Sequence, residues 1–158
     1  MIQIRHLADV RISNVDKKEE DGQIPVRLIN YSDVYYGDRI VPEQQFMAAT
    51  ASRSQTKRFT LKPGDVVITK DSESADDIGV PAFVERTAPD MVCGYHLAIL
   101  RPRPRRVDGR FLYWAINSDE VRTQMASTAT GVTRFGLRTD AINQVRLKVP
   151  PHTPSNSK

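Results

Sequence analysis

Met91-Val92-Cys93-Gly94-Tyr95-His96-Leu97-Ala98-Ile99-Leu100 is the stretch whose reading decides the fold. In an extended chain Cys93, Tyr95, Leu97 and Ile99 share one face, and Gly94, His96, Ala98 and Leu100 share the other. Both faces are largely apolar, so the run is predicted to be a central strand covered on each side. Within it, His96 is expected to be a satisfied core histidine and Cys93 a small core hydrophobe.

Outward from this strand, the pattern stays strand-rich. Leu61-Lys62-Pro63-Gly64-Asp65 predicts a tight turn feeding a short buried strand, Val66-Val67-Ile68-Thr69. Val80 to Val84 predicts another, and Ile24-Pro25-Val26-Arg27-Leu28-Ile29 returns as a strand from the charged turn Lys17-Lys18-Glu19-Glu20-Asp21-Gly22. Ile2, Ile4, Val10 and Ile12 begin a strand-like N-terminal stretch. Pro42, followed by Glu43 to Ala48, reads as a helix start with proline in the first turn. Asp108 can cap a helix carrying Phe111, Leu112, Trp114 and Ala115, and Asn117-Ser118-Asp119-Glu120 offers a cap before Val121 and Met125. Thr139-Asp140 starts one more helical turn before Val145, Leu147 and Val149 alternate as a last strand. The sum is an α+β domain over residues 1–151, built on a twisted, mostly antiparallel sheet with flanking helices. Residues 152–158 read as a disordered tail.

At 158 residues, with 39% hydrophobic and 27% charged side chains, the composition is that of an ordinary globular domain. Apolar stretches are strand-sized, short of the ~20 residues that span a membrane as a helix. Met1-Ile2-Gln3-Ile4-Arg5 has no secretory pattern, and Cys93 is the only cysteine, so the cytoplasm is the expected compartment. The net charge is +4, and Arg101 to Arg110 alone carries five arginines against one aspartate. Prolines 102 and 104 are expected to keep that run extended, with guanidinium groups projecting as phosphate-binding forks.

An ordered set of motifs runs through the chain. It begins with Val15-Asp16-Lys17-Lys18 and Val26 to Tyr36, which contains Asn30-Tyr31-Ser32-Asp33. Gly64 to Ser74, Asp77 to Val84 and Val92 to Pro102 follow. Gly131-Val132-Thr133-Arg134-Phe135-Gly136-Leu137 and Val149-Pro150-Pro151 close the set. In this order they resemble the DNA-specificity subunit of Type I restriction-modification systems, over nearly the whole chain. One departure is Ile29, where the family tends to carry a cysteine.

The resemblance implies a target-recognition domain reading one half of a bipartite site in double-stranded DNA. Its partners would be methyltransferase (modification) subunits and, through them, restriction subunits. S-adenosylmethionine and ATP belong to those partners, so no cofactor is expected on this chain. The family's long spacer helix is missing from this sequence.

Within that frame Thr133 and Arg134 are candidate base readers, since arginine can fork onto guanine. Lys70, Ser72 and Glu73 join them, on a loop after a buried strand. Lys17, Lys18, Arg53, Lys57, Arg58, Arg103, Arg105 and Arg106 are the phosphate candidates, which position without reading sequence. Tyr31, Tyr35 and Tyr36 are expected at a core or rim.

Catalytic readings find no support in the residues. Lys148-Val149-Pro150-Pro151-His152 lacks the amide or carboxylate of a methyltransferase tetrapeptide, and no Phe-x-Gly-x-Gly loop is present. Pro89-Asp90 has no acid-x-lysine downstream, and Walker loops and zinc spacings are absent. The chain is therefore read as non-catalytic, with no metal site. The alternative is a truncated or docking module that binds methyltransferase subunits without reading DNA. A reader should gather the arginine loop, Lys70 and Arg134 on one concave face. A docking module should scatter those charges and expose an apolar patch.

Overall fold

The computed structural model describes residues 1–129 and 135–149. Its strands are β1 (Ile2–Gln3), β2 (Ala8–Ile12), β3 (Ile24–Ile29), β4 (Arg39–Ile40), β5 (Met47–Ala51) and β6 (Val66–Thr69). Then come β7 (Asp71–Ser72), β8 (Pro81–Val84), β9 (Met91–Cys93), β10 (Leu97–Pro102), β11 (Phe135–Gly136) and β12 (Arg146–Leu147). The α-helices are α1 (Tyr31–Tyr35), α2 (Arg53–Phe59), α3 (Gly109–Ile116), α4 (Asp119–Thr128) and α5 (Thr139–Gln144). Short 3₁₀ turns cover Ile4–His6 and Ala75–Asp77.

Five strands form the main sheet in the order β2-β10-β6-β8-β4, antiparallel except where β4 runs beside β8. A second sheet has the order β5-β3-β9, with β9 parallel to β3. The alternation of side chains along β6 and β10 explains the layering. Val66, Ile68, Ala98 and Leu100 enter one core with Leu112, Ile116, Val121, Met125 and Ile142 of α3, α4 and α5. Val67, Leu97 and Ile99 enter the other, with Val26, Leu28 and Val92 of the smaller sheet, Val34 of α1 and Phe59 of α2. The main sheet is thus covered on both faces, as the apolar run predicts for Leu97 to Leu100.

That run is not one strand. Met91–Cys93 pairs with β3 in the smaller sheet, whereas Leu97–Pro102 pairs with β2 and β6 in the main one. The chain changes sheets between them. Gly94 and Tyr95 donate their amides to the carbonyls of Ile29 and Val15, both at 2.9 Å. A Cβ at Gly94 would lie 2.6 Å from the Ile29 carbonyl oxygen, so the crossing requires glycine. His96 follows at φ 72°, in the left-handed region.

Three further expectations are corrected. The helix expected after Pro42 is a turn and then strand β5: Gln44 Oε1 accepts from the Val41 amide at 2.8 Å, and Arg27 donates to the Pro42 carbonyl at 2.7 Å. Pairing of β5 with β3, which buries Ala49 and Ala51, overrides local helix preference. The N-terminal stretch is broken by a 3₁₀ turn that buries Ile4. The arginine run is extended only to Pro102; beyond it lies a turn with Arg105 at φ 66°.

The helix caps read from sequence are present. Asp108 accepts from the Phe111 amide at 2.8 Å, and Ser118 accepts from Val121 at 3.4 Å. Helix α2 is an element not expected from the sequence; Ser52 and Gln55 form its reciprocal capping box.

Candidate nucleic-acid interface

The candidate residues gather at the two ends of β10. At its start, β6 hands over to β7 and the chain of the candidate reading loop returns. Lys70 donates its amide to the His96 carbonyl at 3.0 Å, and Phe135 and Gly136 pair with Ser72 and Asp71. Lys17, Tyr31, Asp71, Ser72, Glu73, Ser74, Asp77 and His96 line a concave cavity of about 560 Å3 there.

Asp71 organises this end. Its carboxylate accepts from Lys70 Nζ at 2.8 and 2.9 Å and lies 2.8 Å from His96 Nδ1. Burial alone would push the Asp71 carboxyl up, but hydrogen bonds and charge from Lys70 and His96 outweigh it and leave it below its ordinary value. Tyr35 donates to Asp77 at 2.8 Å, a bond that raises the phenol above its ordinary value and fixes the rim. Tyr31 stacks on Tyr35 at 5.5 Å between ring centroids, and Tyr36 is exposed beside them. All three tyrosines are rim residues.

The other end of β10 carries the arginine turn. Arg101 forks onto Asp65 at 2.9 Å from both Nε and Nη2, and Nη2 also reaches the Thr60 carbonyl at 3.0 Å. Asp65 is only 1% exposed, so this pair is structural. Arg110 lies over the Phe83 ring, 5.0 Å from its centroid. Arg103, Arg105 and Arg106 stay exposed, with Arg103 Nε donating to the Arg5 carbonyl at 3.1 Å.

Helix α2 connects the two ends along the β2 flank. Gln55 donates to Asn14 Oδ1 at 3.0 Å toward the cavity end, and Arg11 donates to the Arg58 carbonyl at 3.0 Å toward the arginine end. Arg53, Lys57 and Arg58 are exposed on this helix.

The placement of the sequence-predicted residues divides them. Among the base-reading candidates, Lys70 is held by Asp71, and Ser72 is buried with its hydroxyl accepting from the Ser74 amide at 3.3 Å. Glu73 is exposed at the cavity, and Thr133 and Arg134 lie outside the described residues, as does the 152–158 tail. Lys17, chosen as a phosphate candidate, lines the same cavity; Lys18 pairs with Glu20 at 3.3 Å. Lys70 and the arginine turn lie at opposite ends of a six-residue strand, about 20 Å apart. The expected concave face also includes Arg134, which lies outside the described residues.

His96 is satisfied, as expected, but it is partly exposed and not in the core. It lines the cavity and is hydrogen-bonded by Asp71, with the Tyr95 ring 3.9 Å away. Its only sequence signal is the glycine two positions earlier, which interrupts an otherwise apolar run. Among the described residues no three His, Cys, Asp or Glu side chains are grouped to hold a metal, and no helix is long and apolar enough to cross a membrane.

No family model and no curated protein matches the sequence. Solved structures do match the fold. The S subunit of a Type I restriction-modification system from M. genitalium superposes with a TM-score of 0.52 at 14% identity, covering 90% of this chain and 32% of that one. The HsdS subunit from Thermoanaerobacter tengcongensis gives 0.57 at 16% identity, over 91% and 31% respectively. A structure of the type I R-M system concerned with complex assembly and conformational transition gives 0.55 at 16%, over 92% and 32%. The chain shares its fold with a part of these proteins. It spans about a third of the length of the chains it matches. The S-subunit fold is mixed α+β, which is the class expected from the sequence.

Helix α3, which follows the arginine turn, carries an exposed apolar patch. Trp114 on α3 is 74% exposed, beside a shallow groove of about 200 Å3 lined by Phe111, Ala115, Ser118, Glu120, Val121, Leu147 and Lys148.

Proposed function

We propose that this chain is the target-recognition part of a Type I specificity subunit, binding one half of a bipartite duplex-DNA target. The observation that carries this reading is the S-subunit fold over nine-tenths of the chain. The layout around β10 agrees with a division of work. The cavity end supplies acceptors and donors at the edge of a loop cluster, and α2 with the arginine turn supplies phosphate contacts that fix orientation. Chemistry then belongs to methyltransferase subunits and to the restriction subunits they recruit, and this chain is a non-catalytic component acting with them in the cytoplasm.

The test is selection of bound sequences from a randomised duplex library at two salt concentrations. Enrichment of a short motif is expected. Arg134→Ala should relax discrimination at one base position by about 1–3 kcal/mol. Lys57→Ala should weaken every sequence alike and flatten the salt dependence. Salt-sensitive binding without a motif would refute sequence recognition.

The docking alternative has its own support in the exposed Trp114 groove. It predicts capture of methyltransferase subunits by a domain that enriches no motif, with capture lost in Trp114→Ser.

A further inference from the structure

Resting on the DNA-binding reading above, we infer that His96 is a specificity-determining residue whose imidazole accepts a hydrogen bond from an amino-bearing base edge, adenine or cytosine, seated in the Tyr31–Lys17–Glu73 cavity. The argument begins with the Asp71 carboxylate. It already accepts two bonds from Lys70 and is shared with His96 Nδ1 at 2.8 Å. An ionised carboxylate can only accept, so Nδ1 must be the nitrogen that carries the proton. In the neutral ring Nε2 then has no hydrogen and can only accept. No described residue bonds Nε2, and the ring lines the cavity.

The remaining lining favours the same kind of ligand edge. Glu73 is exposed and has no ion-pair partner among the described residues, and its carboxylate is likewise an acceptor. Asp77 already accepts from Tyr35 at one oxygen, and its remaining capacity is again that of an acceptor, while Ser72 accepts from the Ser74 amide. In the major groove adenine N6 and cytosine N4 are donors, whereas guanine and thymine present acceptors at the corresponding positions. Lys17, on the same cavity, supplies a donor suited to the acceptor N7 that adjoins N6 in adenine. The position is also built to hold its ring still. His96 sits at φ 72°, its carbonyl is tied to the Lys70 amide, and Tyr95 packs on the ring.

The experiment uses the full chain and the motif it selects from a randomised duplex library. At each adenine or cytosine of that motif, the exocyclic amino group is replaced by hydrogen, giving purine or pyrimidin-2-one. At one position the wild type should lose about tenfold in affinity, and His96→Gly, which suits the positive φ, should lose less than about twofold. Because the amino deletion is made in the DNA, the wild-type measurement does not depend on how well the variant folds. If the wild type tolerates every amino deletion, or if His96→Gly remains as sensitive as the wild type, His96 is not the reader although DNA recognition stands. A wild type that enriches no motif overturns this inference together with the reading beneath it.

Discussion

Asp65 and Asp71 lie six residues apart on either side of β6, and their surroundings give them different consequences. Asp65 accepts from the Lys62 amide at 2.8 Å as well as from Arg101, so it ties the 61–65 turn to the last residues of β10. Removing one member of a buried pair leaves the other charge unpaired, so Asp65→Ala should destabilise by about 3 kcal/mol. A urea titration with an unchanged slope and a lower midpoint would register it. Asp71 gives a pH prediction instead. Its folded value lies below the ordinary carboxylate range, so its contribution is present above that range and fades as pH falls through the folded value. The stability gap between wild type and Asp71→Asn should therefore narrow below about pH 4, measured as urea midpoints across an acid series. A gap that widened with acid would contradict the sign of the shift. Neither role was legible beforehand. Asp65 reads only as the end of a tight turn and Asp71 carries no assigned role, because sequence does not show which cation across the fold a carboxylate meets.

Helices at chain positions with side-chain caps were the most legible elements. Asp108 and Ser118 sit where α3 and α4 begin, since a cap and the apolar spacing after it are both local signals. Helix α2 carries an equally local signal in Ser52-Arg53-Ser54-Gln55, yet six of its seven residues, Arg53 to Arg58, form a polar stretch that hides it. Replacing its cap with Ser52→Ala should cost about 1 kcal/mol, seen as a lowered thermal midpoint. The same variant should weaken DNA binding uniformly, because α2 carries Arg53, Lys57 and Arg58. Strand β5 was illegible for a different reason. Nothing near Pro42 reveals that Arg27, anchored on Asp90 at 3.0 Å, will hold the Pro42 carbonyl. The division of the Met91–Leu100 run was also hidden. Periodicity reports which residues are buried, but not that Cys93 and Leu97 are buried in different sheets.

At the scale of the molecule, the main sheet is shared by two cores, so loss of β10 would open both at once. Unfolding is expected to be a single transition when followed by far-ultraviolet circular dichroism, with the same midpoint by a tyrosine probe. The candidate site was legible in part for a related reason. Basic residues declare themselves by type, which singled out Arg103, Arg105 and Arg106, whereas the cavity exists only because the 94–96 crossing brings His96 to Asp71. Trp114 supplies the optical consequence. It is the chain's sole tryptophan and stands largely in water, so its emission should be red-shifted in the native state and change little on denaturation. That makes it a poor reporter of folding and a clean one of contact. A blue shift on adding methyltransferase subunits, with none on adding DNA, would show that the α3 surface and the ends of β10 meet different partners.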